Sequence, residues 1–146
     1  MQPFRIAILG LWHLGEIYSA GLAELGHEVV GISEDEALIA NFKKGEPLLP
    51  EPGLKELILK NQSEGRLRYS VDFSEISQAN VLWLTFDTPV SDEDEVDLSP
   101  IWDALKKSLP YLSNSALLII SSQIPVGTSE EICDFIRRRR SDLKLS

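Results

Sequence analysis

The sequence predicts an α/β fold: a doubly wound parallel sheet with helices on both faces, formed by a single domain over residues 1–146. Three observations favour this class. Short, continuous apolar runs of the kind that buried parallel strands need alternate along the chain with segments of helical periodicity. No linker or low-complexity stretch of sequence interrupts this alternation. A length of 146 residues is also typical of one domain with one sizeable core.

Each predicted element follows from a local pattern. The apolar run FRIAILG, at residues 4–10, is the predicted first strand, and Gly26 ends the helix that follows it. The residues that recur at helical spacing in that helix are Leu14, Ile17, Tyr18, Gly21, Leu22 and Leu25. The other predicted strands lie at residues 28–32, 66–70, 81–86 and 116–121, with a sixth beginning at 142, and the other helices at 35–45, 54–60, 98–109 and 128–139.

Composition and charge exclude several classes of protein. The formal net charge of −9 at pH 7 argues against nucleic acid and against an anionic membrane as partners, because both reward clustered Lys and Arg. The one basic run, residues 137–140, lies near the end of a predicted helix, where cations offset the helix dipole. No apolar run is long enough to cross a bilayer, and the first residues resemble a strand more than a signal peptide. Cys133 is the only cysteine, which excludes an intrachain disulfide and fits a reducing cytoplasm.

A glycine-containing turn, GLWHLG at residues 10–15, separates the first strand from the first helix. A strand, a glycine turn and a helix form the βαβ unit of a dinucleotide-binding Rossmann fold, whose pattern is G-x-G-x-x-G. Gly10 and Gly15 hold the first and third glycine positions, which make the tight turn and let the helix pack closely on the strand. Trp12 holds the second, where glycine lets the backbone approach the pyrophosphate. An indole there competes for the volume that the pyrophosphate would occupy.

The end of the second strand carries another departure from the dinucleotide-binding pattern. Ser33 stands where an acidic residue would hydrogen-bond the ribose of NAD. Glu34 and Asp35 follow at once, and a shifted turn would allow either of them to substitute. Their negative charges would repel a 2′-phosphate, so the sequence favours NAD over NADP.

Five further segments add specificity to the glycine pattern. They are LAELGHEVVGI at residues 22–32, EPGLKEL at 51–57, GRLRYSVDFSE at 65–75, TP at 88–89 with DEDEVDLS at 92–99, and SSQIPVGT at 121–128. In this order and spacing they resemble the N-terminal domain of the UDP-glucose/GDP-mannose 6-dehydrogenase family, over essentially the whole chain. The resemblance implies an NAD-binding domain of an oxidoreductase that converts the 6-hydroxyl of a nucleotide sugar to a carboxylate, in two hydride transfers through a thiol-bound intermediate. In that family, later domains bind the sugar nucleotide and supply the catalytic cysteine.

The same resemblance implies where the cofactor would bind. The cofactor-binding candidates are Gly10, Leu11, Trp12, His13, Leu14, Gly15, Ser33, Thr88 and Ser122. Gln123 departs from the family, which has a threonine near the reacting groups at that position.

No catalytic residue and no metal site are predicted within these 146 residues. The family's glutamate segment and its catalytic-cysteine motif have no counterpart here. Cys133 falls in a predicted helix and is interpreted as a packed, inert thiol. The acidic stretch at 92–97 lacks the glycine and the glutamate spacing of a calcium loop, so a solvated loop is expected.

Two functions remain open from the sequence. In the first, the chain is the cofactor domain of a nucleotide-sugar dehydrogenase, inactive by itself, in which NAD binds with Trp12 turned aside; its partners are NAD and the remaining domains of a dehydrogenase, or a second copy of the chain. In the second, Trp12 fills the phosphate site and Ser33 no longer selects ribose. The chain is then a degenerate Rossmann module with a binding or assembly role.

Overall fold

The protein forms one parallel five-stranded sheet with helices on both faces, in a computed structural model that describes residues 2–88 and 96–143. The strands stand in the order β3-β2-β1-β4-β5. The strands are β1 (Arg5–Leu9), β2 (Glu28–Ile32), β3 (Leu67–Ser70), β4 (Val81–Leu84) and β5 (Leu117–Ile120). The α-helices are α1 (His13–Glu24), α2 (Glu36–Lys43), α3 (Leu54–Ser63), α4 (Ser99–Ser108) and α5 (Thr128–Arg139). The predicted fold class is confirmed.

Strand β1 lies at the centre of the sheet, and its position explains its continuous apolar sequence. It pairs in parallel with β2 on one side and with β4 on the other. Ile6 therefore stands between Val29 and Val81, and every β1 residue after Arg5 is buried. Because side chains alternate between the faces of a strand, a central strand covered on both faces needs apolar residues at every position.

The hydrophobic core has two parts, one on each face of the sheet. Ala7 and Leu9 of β1 belong to a cluster that includes Ile101 of α4 and Ile132 of α5. The alternate β1 residues Ile6 and Ile8 belong to the other cluster, whose helical members come from α1, α2 and α3. Those helical members are Ala20, Ala23, Ile39, Phe42, Leu54 and Ile58. Both faces of the sheet are therefore covered, as the sequence predicts.

Helix α1 is present where the sequence predicts it, but only part of its apolar stripe is buried. Leu14, Ile17 and Leu25 are 40%, 37% and 77% exposed, while Tyr18 and Leu22 are half-buried and pack against the core. The buried residues of the helix are Gly15, Glu16, Ser19, Ala20 and Ala23. The small residues allow the helix backbone to approach the sheet closely, which larger side chains would prevent.

Several boundaries differ from the predicted ones. The fourth strand ends at Leu84, two residues earlier than expected, and the third helix continues to Ser63. An unpredicted 3₁₀ helix spans Phe73–Gln78, and a second spans Leu109–Tyr111. Asp142 and Leu143 lie in a turn and a bend, at the position where the sixth strand was predicted to begin. The rest of that predicted strand lies outside the described residues, and so do residues 92–95 of the acidic stretch.

Among the described residues, no helix combines the length and the apolar character that spanning a membrane requires.

Candidate functional site

Two cavities open at the carboxyl edge of the sheet, where β1 and β4 are neighbours. The chain winds outward in opposite directions from this pair of strands, and such switch points are where doubly wound sheets bind ligands. The larger cavity, of about 630 Å³, is lined by residues that include Leu14, Phe86, Thr88 and Gln123. The smaller cavity, of about 280 Å³, lies between the glycine turn and the end of β2. Trp12 borders both cavities.

Gly10 and Gly15 shape the turn between β1 and α1. Gly10 adopts a φ of +88°, in the left-handed region that favours glycine. A Cβ on Gly10 would lie 2.6 Å from the backbone nitrogen of Phe86, and a Cβ on Gly15 would lie 2.2 Å from the carbonyl oxygen of Gly10. Neither position has room for a side chain, so both glycines are required by the fold itself.

Thr85 secures this turn, and the sequence reasoning missed it. Its buried hydroxyl donates to the carbonyl oxygen of Gly10 at 2.8 Å and lies 3.1 Å from that of Leu9. The signal that points to it is register: Leu84 pairs with Leu9, which places the next residue of each strand side by side. A polar residue directly after β4 is therefore held against the glycine turn.

Trp12 is the N-cap residue of α1, and its backbone does not require glycine. Its φ of −91° and ψ of −165° are extended values that any residue adopts. Its N–H donates to the carbonyl oxygen of Gly10 at 2.8 Å. The residue is 58% exposed and lines both cavities. Only a ligand that approaches the backbone here would need glycine at this position.

The other turn residues divide between structure and surface. Leu11 is 2% exposed and borders the smaller cavity. Leu14 borders the larger one. His13 lines neither cavity and places its Nε2 2.8 Å from Oε1 of Glu51, in the proline-rich segment after α2.

Glu16 is a buried carboxylate directly behind the turn, and the sequence reasoning did not select it. Its Oε2 accepts a hydrogen bond from the Leu48 N–H at 2.8 Å, and its Oε1 accepts one from the Leu49 N–H at 3.4 Å. Burial raises the pKa of the carboxyl, and these two hydrogen bonds act in the opposite direction. Glu16 thus ties the segment at residues 46–53 to the first turn of α1.

Three polar residues after β2 take distinct roles. The Ser33 hydroxyl accepts from the Asp35 N–H at 3.2 Å. The Asp35 carboxylate accepts from the Leu38 N–H at 3.0 Å and caps the start of α2. Glu34 instead pairs with Lys107 of α4, and both residues line the smaller cavity.

The residues predicted after β4 and β5 are brought together only in part. The Thr88 hydroxyl donates to the carbonyl oxygen of Gln123 at 2.6 Å, and both residues line the larger cavity. Ser121 lines it as well, and accepts from the indole N–H of Trp83 at 2.8 Å. Ser122 does not line it, and its buried hydroxyl has no hydrogen-bond partner within the described ranges.

Cys133 lies half-buried on α5. Within residues 2–88 and 96–143, no group of three or more His, Cys, Asp or Glu side chains is placed to hold a metal ion.

Relatives with known names are similar to this chain over most of its length. UDP-glucose 6-dehydrogenase YwqF of Bacillus subtilis is 30% identical over 129 residues, which is 88% of this chain and 29% of that protein. A UDP-glucose 6-dehydrogenase of Rhizobium meliloti is 30% identical over 135 residues, 91% of this chain and 31% of the relative. The chain therefore spans about a third of the length of the curated relatives that it matches.

Solved structures of nucleotide-sugar dehydrogenases are also similar to this chain over most of its length. A UDP-D-ManNAc dehydrogenase of Pyrococcus horikoshii superposes with a TM-score of 0.86 at 29% identity, covering 92% of this chain and 32% of that one. An NDP-N-acetyl-D-galactosaminuronic acid dehydrogenase of Methanosarcina mazei gives 0.87 at 29% identity, with 99% and 33% covered. The sequence profile of the UDP-glucose/GDP-mannose dehydrogenase family, NAD binding domain, matches residues 4–146. The chain belongs to this family and corresponds to the N-terminal NAD-binding domain of its members.

Proposed function

We propose that the two cavities together bind NAD, and that the chain is the cofactor domain of an NAD-dependent nucleotide-sugar 6-dehydrogenase. The observation that carries this proposal is the glycine turn at the switch point of the sheet, which opens onto a cavity on each side of Trp12. A dinucleotide has two halves joined by a pyrophosphate, and it suits a cleft divided in this way.

The residues that line the two cavities suit the pyrophosphate, the adenosine half and the nicotinamide half of such a cofactor. The first turn of α1 offers the positive end of the helix dipole to a pyrophosphate. The smaller cavity would hold the adenosine half beside Ser33 and Leu11. The larger one would hold the nicotinamide half, with Thr88 and Gln123 as polar contacts in a mainly apolar wall. The bound nicotinamide would accept the hydride from the alcohol of the sugar.

Trp12 is where the fit is tested most directly. The backbone of Trp12 is extended and its side chain is exposed, so the fold does not depend on the position of the indole. The indole can therefore turn outward without disturbing the helix. We therefore propose that NAD binds with the indole turned aside. The groups that bind the sugar and perform the thiol chemistry would come from further domains of a dehydrogenase, or from a second copy of the chain, in a reducing cytoplasm.

One observation favours a second function. Trp12 borders both cavities, so an indole that remained in place would occupy the junction that a pyrophosphate must cross. Loss of the phosphate contacts together with a ribose carboxylate would remove about 2–5 kcal/mol of binding free energy. The chain would then be a Rossmann module with a binding or assembly role.

Titration calorimetry of NAD and NADH into the native chain and into Trp12→Gly separates the two functions. Micromolar binding to the native chain supports the cofactor domain, and binding to the glycine variant alone supports the plugged module. Gly21→Ala is a matched control, because it changes an α1 residue that borders neither cavity. Failure of both the native chain and Trp12→Gly to bind would overturn the proposed NAD site.

A further inference from the structure

The smaller cavity has a charged rim built from two distant parts of the chain. Glu34, after β2, and Lys107, on α4, form an ion pair across 73 residues of sequence. Both residues line the cavity, together with residues of the glycine turn. The pair therefore lies where the proposed function places the adenosine half of the cofactor.

The three polar residues after β2 are not equally able to contact a ribose. Ser33 carries no charge, and its hydroxyl is engaged by the Asp35 N–H. Asp35 caps α2 through the Leu38 N–H, and moving its carboxylate would cost the helix its cap. Glu34 is the remaining carboxylate of the three, and its described partner is a side chain rather than the backbone of its own turn.

Lys107 contacts the Glu34 carboxylate from a neighbouring helix. An exposed glutamate has several rotamers of similar energy, and an ion pair to a neighbouring helix selects among them. Because the lysine comes from α4, the selected position lies between α4 and the end of β2, at the rim of the smaller cavity. A carboxylate held there accepts hydrogen bonds from a ribose diol, whereas a 2′-phosphate would bring like charge against it.

We propose that Glu34 reads the adenosine ribose in place of the absent acidic residue at Ser33 and thereby favours NAD over NADP, and that Lys107 is the positioning residue that holds this carboxylate toward the ribose. The inference rests on the proposed function, since it assumes a nicotinamide dinucleotide in the cleft. It also assigns opposite effects to the two members of the pair. Glu34 repels a 2′-phosphate, while the ammonium of Lys107 attracts it.

The test is the ratio of the NAD⁺ to the NADP⁺ dissociation constant in the 146-residue chain and its variants. The native chain should prefer NAD⁺ by about tenfold or more. Glu34→Gln removes the repelling charge and releases the ammonium, so the preference should fall by about tenfold. Lys107→Gln should weaken NADP⁺ further and NAD⁺ only a few-fold, which raises the preference. A merely structural role would weaken both cofactors alike.

Two further variants sharpen the result. Lys43→Gln is the matched control, because Lys43 is an exposed lysine in the last turn of α2 and does not line the smaller cavity. Its ratio should equal the native one. Ser33→Asp in the Glu34→Gln background returns a carboxylate to the end of β2 and should restore the preference for NAD⁺.

Failure of this inference is distinguishable from failure of the proposed function. NAD⁺ binding with an unchanged ratio in Glu34→Gln overturns the inference and leaves the function standing. To cover the opposite case, the same variants are titrated with ADP and with 2′,5′-ADP, which lack the nicotinamide. A Glu34-dependent preference for ADP supports the inference even if NAD⁺ does not bind. If neither nucleotide binds to the native chain or to Trp12→Gly, the inference is overturned as well.

Discussion

Gly15 and Gly21 are two glycines of the same helix whose surroundings differ completely. A Cβ at Gly15 would lie 2.2 Å from the Gly10 carbonyl oxygen and 2.8 Å from the Thr85 hydroxyl, while a Cβ at Gly21 would meet nothing within 4 Å. Gly15→Ala should therefore lower the free energy of unfolding by about 3 kcal/mol, because a backbone oxygen must move. Gly21→Ala should raise it by up to about 1 kcal/mol, because alanine restricts the unfolded chain.

The midpoint of urea unfolding of each variant, followed by circular dichroism, measures these effects. A Gly15→Ala protein as stable as the native one would show that the turn and α1 are packed less closely than described. A destabilised Gly21→Ala protein would show that the outer face of α1 is covered.

At this scale, the sequence identifies residues whose role is local and misses those whose role depends on a distant partner. Gly10 and Gly15 are predicted because the turn pattern itself requires them. Thr85 reaches the turn from 75 residues away, and Glu16 meets Leu48 from 32 residues away. A glutamate in a first helical turn is also ordinarily a surface residue that favours the dipole, so its burial has no local signal.

Helix α1 and the segment at residues 46–53 are connected through the buried carboxylate of Glu16. Burial raises its pKa above the usual 4.5, which outweighs the hydrogen bonds from Leu48 and Leu49; His13 lowers it and Glu51 raises it, each by less. The folded protein then holds this proton to a higher pH than the unfolded chain. Stability from this group is therefore complete below pH 4.5 and is lost as pH rises through the folded pKa.

Glu16→Gln removes this titration while keeping a side chain of similar size. The free energy of unfolding of the native chain, minus that of the variant, should fall as the pH rises from 4 to 7, with a slope of at most about 1.4 kcal/mol per unit. Urea unfolding at half-unit intervals of pH measures it. Glu36→Gln, at an exposed position in the first turn of α2, is the control for the same chemical change away from the buried site. A flat difference for Glu16→Gln would mean that its carboxyl is not desolvated.

Elements are predicted more reliably than the faces they bury. The helical spacing correctly locates α1, yet Leu14, Ile17 and Leu25 are exposed, and the fully buried residues are the small Ala20 and Ala23. Periodicity reports a helix because apolar residues recur, but a close helix-to-sheet contact selects small side chains, which carry little hydrophobic signal. The 3₁₀ helix at Phe73–Gln78 was missed because it is too short to show a period.

The sheet lies between two hydrophobic clusters, and each cluster has a tryptophan packed against it whose fluorescence can follow its unfolding. Trp102 packs against the cluster under α4 and α5, and Trp83 against the cluster under α1, α2 and α3. The two clusters share the strands, since alternate residues of β1 and β4 face opposite sides. Loss of packing on one face therefore disturbs the strands on which the other face depends. The two cores should unfold as one cooperative unit.

Leu82→Ala tests this cooperativity. Leu82 is fully buried in β4 and belongs to the Trp102 side of the sheet. Its truncation should lower the free energy of unfolding by about 2–5 kcal/mol. Single-tryptophan backgrounds, made by Trp12→Phe with either Trp83→Phe or Trp102→Phe, allow fluorescence to follow each core separately. Both probes should show the same urea midpoint, and Leu82→Ala should shift the two midpoints equally. Leu117→Ala is the control, because Leu117 lies in an edge strand and is 57% exposed; it should shift neither midpoint appreciably. A shift of the Trp102 signal alone would mean that the two cores are separate folding units.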